Sequence, residues 1–125
     1  MGILPVSAQN ERIIFMRLPN PDYAIIDDQK LAGYCLNPEH TDGQHKAIVF
    51  QSALGIGIDE IEELKAALLQ AVQMHDAVPT KSNQYGQKYV VDFVMTRLEK
   101  QAMIRSVWIV CYDEGFPRLV TCYVL

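Results

Sequence analysis

The apolar pattern of this chain changes period once, near Pro79, and that change constrains the fold more than any other feature. Before it, apolar residues recur three and four apart. After it, they alternate. A period of 3.6 builds one stripe on a helix, whereas a period of two builds one face of a strand. The chain therefore reads as helices first and a sheet after.

In the helical part, Asp27 or Asp28 is placed to cap a short helix that ends before Asn37-Pro38. Leu31, Tyr34 and Cys35 form its apolar stripe. Gln44 to about Leu54 is helical again, with Ala47, Val49, Phe50, Ala53 and Leu54 at helical spacing. Gly55-Ile56-Gly57 breaks it. Asp59 with Glu62 has the Asp-x-x-Glu form of a capped start. Ile61, Leu64, Leu68 and Val72 then run as a stripe to about Met74.

Upstream, residues 13–18 (IIFMRL) read as a short strand stopped by Pro19-Asn20-Pro21, and residues 24–26 as a second extended piece. Downstream, Lys88–Met95, Met103–Tyr112 and Leu119–Leu125 read as strands joined by hairpin loops, with Tyr85-Gly86 in a turn before the first. The expected fold is α+β. An N-terminal short strand and three helices pack on a C-terminal antiparallel three- to four-stranded sheet. A length of 125 residues suits a single domain over 1–125, with residues 1–17 as a less ordered or edge-strand extension.

The opening MGILPVSAQNE lacks a basic start and a long apolar stretch, so no secretory signal is expected. Val6 breaks the myristoylation pattern. No apolar run approaches the length of a membrane span, so no membrane partner is expected. Cys35, Cys111 and Cys122 are an odd number without close pairing and read as reduced thiols in a cytoplasmic protein.

The net charge of −4 is unevenly placed. Residues 1–80 hold five Lys/Arg against eleven Asp/Glu, and residues 81–125 hold six against four. A polyanion feels the local field more than the total. The plain reading of the acid, including Asp59, Glu60, Glu62 and Glu63, is a solvated helix face.

The segment His40-Thr41-Asp42-Gly43-Gln44-His45-Lys46 puts two histidines and a lysine where a loop enters a helix. Histidine moves protons near neutral pH, lysine neutralises a phosphoryl oxyanion, and helix N-terminal amides face the same anion. The set suits phosphodiester chemistry, although a polar loop with a helix cap would look similar. A shared metal ion is the rival use of His40 and His45. No HExxH, CxxC or carboxylate set accompanies them, so no metal or cofactor is expected. His75 ends a helix and reads as a cap or a surface residue.

In the second strand of the meander Arg105 is the one charge in the row Met103, Arg105, Val107, Ile109 and Cys111. It needs either a protein acid or a ligand phosphate. In the last strand Leu119, Thr121 and Tyr123 share a face, and the two hydroxyls could meet a phosphate or a base. A structural role is the alternative for all three polar residues. Cys111 and Cys122 sit in apolar strands, where thiols stay inert, and no nucleophile elbow or phosphate-binding glycine loop is present.

Leu36-Asn37-Pro38-Glu39-His40, Gly43-Gln44-His45-Lys46-Ala47 and Phe50 resemble the N-P-E-H-x-x-G-x-H-K-A-x-x-F signature of a family of small bacterial domains of unknown function. Tyr85-Gly86-Gln87, Tyr89–Phe93, Arg105-Ser106, Trp108–Val110 and Phe116–Tyr123 extend the resemblance. Members of that family occur alone or as C-terminal modules of polymorphic toxins. The element order is similar to the barnase/EndoU/colicin/RelE-like ribonucleases, which cut RNA without metal. The resemblance implies His40, His45, Lys46, Arg105, Thr121 and Tyr123 as the catalytic set. It implies a ribonuclease-like toxin of a toxin–antitoxin or immunity pair, with an RNA substrate, a small antitoxin or immunity partner and no DNA. Many such toxins are basic, whereas this chain has a pI near 5.2. The alternative function is a non-catalytic interaction domain that binds a small partner protein.

Overall fold

The computed structural model describes residues 16–125. Helix α1 begins where Asp27 Oδ1 accepts the Gln29 N–H at 2.9 Å. It runs as an α-helix over Asp28–Lys30 and widens to a π-helix over Leu31–Cys35. The widened turn closes when the Leu36 N–H donates to the Leu31 carbonyl at 2.8 Å. Helix α2 spans Gln44–Leu54 and stops at Gly55, whose φ of 67° is the left-handed conformation that glycine adopts most cheaply. Helix α3 spans Ile61–Met74 after a 3-10 turn over Ile58–Glu60. The expected Asp59–Glu62 box is not the device that starts it. Glu60 accepts the Gly57 N–H at 2.7 Å, so the cap sits two residues earlier, ahead of the 3-10 turn.

Four strands follow: β1 Val78–Ser82, β2 Gly86–Arg97, β3 Lys100–Cys111 and β4 Pro117–Val124. They form one antiparallel meander in the order β1-β2-β3-β4. The fold is the expected α+β arrangement, with the sheet at the C-terminus. Of the strand expected over residues 13–18, residues 13–15 lie outside the described residues. Met16–Leu18 joins no strand, although the Met16 carbonyl accepts the Ala77 N–H at 2.7 Å. Ile25 makes a single parallel bridge to β4, with hydrogen bonds of 2.9 and 3.0 Å to Pro117 and Leu119.

One face of the sheet is buried under the helices. Tyr89, Val91, Phe93, Ile104, Trp108, Leu119 and Cys122 meet Leu31, Cys35, Phe50, Leu54, Leu64, Leu68 and Val72. Among the described residues Ser106 is the one buried polar residue in this core. Its Oγ donates to the Val91 carbonyl at 2.7 Å and accepts Trp108 Nε1–H at 2.9 Å. A bulge between Val107 and Trp108 shifts the register against β4. Leu119 and Cys122 both enter the core, so Leu119 does not share the Thr121 and Tyr123 side, as strict alternation had implied. Among the described residues no helix is long and apolar enough to cross a membrane.

Candidate functional site

The loop from α1 to α2 is built by its own polar side chains. Asn37 Oδ1 accepts the Glu39 N–H at 2.9 Å. His40 Nδ1 accepts two backbone N–H groups, from Asp42 at 2.9 Å and Gly43 at 3.0 Å. The His40 carbonyl then accepts the Gln44 N–H at 2.9 Å, at the first residue of α2. With Nδ1 occupied as an acceptor, the ring proton is assigned to Nε2, which is left as a donor.

Gly43 holds α2 against α1. A Cβ at this position would lie 2.2 Å from the Tyr34 carbonyl oxygen, so only glycine allows the approach. Lys46, in the first turn of α2, consequently reaches back to Tyr34. Its Nζ donates to the Tyr34 hydroxyl at 3.0 Å. It stands 4.9 Å from the Tyr34 ring centre and 5.6 Å from that of Tyr123. The Tyr34 ring also meets His40 edge-on, with ring centres 4.9 Å apart. The Tyr34 hydroxyl raises the proton affinity of Lys46, so the ammonium form is favoured.

Lys46 differs from the paired cations in what surrounds it. Arg17, Lys65, Arg97, Arg105 and Arg118 each form an ion pair with a carboxylate. Among the described residues no carboxylate lies within 4.0 Å of the Lys46 ammonium. Its charge is set among phenols, with the Cys35 sulfur as a further electrostatic neighbour, and is not paired with a carboxylate, which leaves it able to meet an external anion.

The other sequence candidates gather at the same corner in different roles. Arg105 is held by Asp92 across the β2–β3 ladder through two hydrogen bonds of 2.9 and 2.8 Å. Its required partner is thus a protein acid, and Asp92 raises its proton affinity further, with the Tyr123 hydroxyl assisting. Thr121 Oγ1 lies 3.5 Å from Cys35 Sγ. An open recess of about 680 Å³ has Tyr34, His40, Thr121, Gly33 and Lys30 in its wall. An adjoining recess of about 290 Å³ is lined by His45, Lys46, Val49, Tyr123 and Val124. His45 is exposed, and its ring makes no hydrogen bond among the described residues. The sequence reading missed Tyr34, Cys35 and Asp92.

A family model described as a domain of unknown function (DUF6883) matches residues 17–125. The chain belongs to this family. The match takes in every element of the fold and every residue of the Lys46 corner. No curated protein matches the DUF6883 chain. Among solved structures it is similar to a chain of a contact-dependent growth inhibition toxin–immunity protein complex from Klebsiella pneumoniae 342. That likeness has 21% identity and a TM-score of 0.62, and covers 81% of this chain and 99% of that one. At this identity the likeness concerns the fold.

Proposed function

We propose that this domain is a toxin module that cleaves RNA without a metal ion and is held in check by a small immunity protein. The observation that carries the reading is the Lys46 charge, without a carboxylate partner, between Tyr34 and Tyr123 in the wall of the recess that it shares with His45. The likeness to a chain of a toxin–immunity protein complex supports a place in such a system.

In this reading Lys46 holds a phosphate oxygen and stabilises the charge of the phosphorane. His45 takes the proton from the ribose 2′-hydroxyl, which attacks phosphorus. Lys46 donates to the Tyr34 oxygen, so the Tyr34 O–H proton stays available to the departing 5′-oxygen. His40 donates Nε2–H to the phosphate and holds the loop. Thr121 and Tyr123 orient the phosphate or a base, and Arg105 fixes Tyr123 from the sheet side. The products are a 2′,3′-cyclic phosphate and a 5′-hydroxyl.

The test is cleavage of RNA by the chain free of any partner. Lys46→Met should lower the rate by roughly 10²–10³, the usual worth of one oxyanion donor. His45→Ala and Tyr34→Phe should each lower it by roughly 10²–10⁴. EDTA should leave it unchanged. A wild-type chain that does not cut RNA would overturn the reading in favour of a non-catalytic interaction domain. One observation favours that second reading: an apolar recess of about 580 Å³ walled by Leu36, Pro38, Ile48, Ile56 and Ile58, with Asp59 and Glu60 at its rim.

A further inference from the structure

Cys35 and Cys122 are both fully buried, and they meet where α1 abuts the outer edge of β4. The Cys122 backbone N–H donates to Cys35 Sγ at 3.4 Å. Thr121 Oγ1 is 3.5 Å from the same sulfur. A strand-edge N–H is thus capped by a cysteine sulfur instead of a carbonyl. The Cys122 side chain leads the contacts that bring the Cys35 thiol down to about 6, against the opposing effect of burial. Thr121, the Cys122 amide and the Lys46 charge act in the same direction. The Cys122 thiol is pushed up by Cys35 and by burial, so of the two Cys122 is the one that keeps its proton. Cys111 stands apart at the other end of β3, opposite Gly86.

We propose that Cys35 and Cys122 are a redox pair that hydrogen peroxide closes into a disulfide joining α1 to β4. The Cys35 thiolate attacks a peroxide oxygen. The S–O bond forms, the O–O bond breaks, and the hydroxide released takes up a proton to become water. Cys122 then gives up its proton and its sulfur attacks the Cys35 sulfenic acid. The S–S bond forms, the S–O bond breaks, and the oxygen leaves as a second water. Two thiols lose two electrons and one peroxide gains them. The recess walled by Gln29, Gly33, Tyr34 and Thr121 has in its wall the chain neighbours of both cysteines, Tyr34 beside Cys35 and Thr121 beside Cys122. Closure would replace the anionic sulfur near Lys46 by a neutral one. The proposal does not depend on RNA cleavage.

The full chain is treated with hydrogen peroxide, then alkylated after denaturation and mapped by mass spectrometry. The expected result is one alkylatable thiol, at Cys111, and a peptide pair linked through Cys35 and Cys122 that dithiothreitol separates. Cys111→Ser should keep the link. Cys122→Ala should stop at a Cys35 sulfenic acid that dimedone captures. Chain unfolded in urea during oxidation should lose the pairing preference. Three alkylatable thiols after a dose that oxidises glutathione would overturn the proposal. So would a bond formed through Cys111, or an equal mixture of pairings from the folded chain.

Discussion

Ser106→Ala removes one oxygen from the core and leaves the Trp108 indole N–H with no acceptor among the described residues. Both side chains have no exposed surface, so water does not take the place of the lost partner. A buried donor left unpaired costs about 1–3 kcal/mol, more than the net worth of an ordinary hydrogen bond. At this chain length each kcal/mol moves the melting temperature by about 4 °C, so the drop should be about 4–12 °C. Trp108 is the single tryptophan, so its fluorescence reports the loss at the position where it occurs. The same change made on Trp108→Phe should cost less by roughly 1 kcal/mol, because the orphaned donor is already gone. Equal costs in the two backgrounds would refute the argument. So would a Ser106→Ala protein that melts with the wild type.

His40→Ala should destabilise the chain by about 1 kcal/mol, because two loop amides lose their acceptor. It should also reduce RNA cleavage less than His45→Ala does; the opposite order would return the proton-transfer role to His40. For Cys35 the folded-state value is depressed to about 6 from an ordinary 9.0, so its ionisation stabilises the fold above pH 9 and is lost as pH falls through about 6. The gap in urea midpoint between wild type and Cys35→Ser should therefore widen from pH 6 to 9, and a constant gap would reject the shift.

Helix α2 and strands β2 to β4 were legible because each has one buried face, and a one-sided burial prints its period on the sequence. Strand β1 has no such face. All five of its residues are exposed and it contains Pro79, so neither alternation nor composition marks it. The bulge at Val107 was equally silent, since a register shift leaves composition untouched. Tyr34 and Cys35 were read as an apolar stripe, because spacing cannot tell a hydroxyl or a thiol used for its polar end from one used for its bulk. Asp92 was missed for a different reason. Its link to Arg105 runs across the ladder, and only the register pairs those two positions. Arg105 announced the need for a partner along its own strand, while the partner lay on the next one.

The net charge of −4 does not contradict an anion site, because the paired cations and the Lys46 corner obey different arithmetic. The Asp92–Arg105, Glu63–Arg97 and Glu114–Arg118 pairs contribute opposite charges a few ångströms apart, and a ligand beyond a Debye length sees little of either. Lys46 has no carboxylate within 4.0 Å among the described residues, and its neighbours are two phenols and the Cys35 sulfur. The same loop explains why His40 and His45 are not interchangeable. His40 is consumed in building the turn that brings Gly43 under Tyr34, and that approach brings Lys46 to the Tyr34 hydroxyl. His45, two residues beyond Gly43 and exposed, has no such duty. The two histidines that look alike as a motif are therefore separated by the backbone into one whose Nδ1 builds the loop and one whose ring is left exposed.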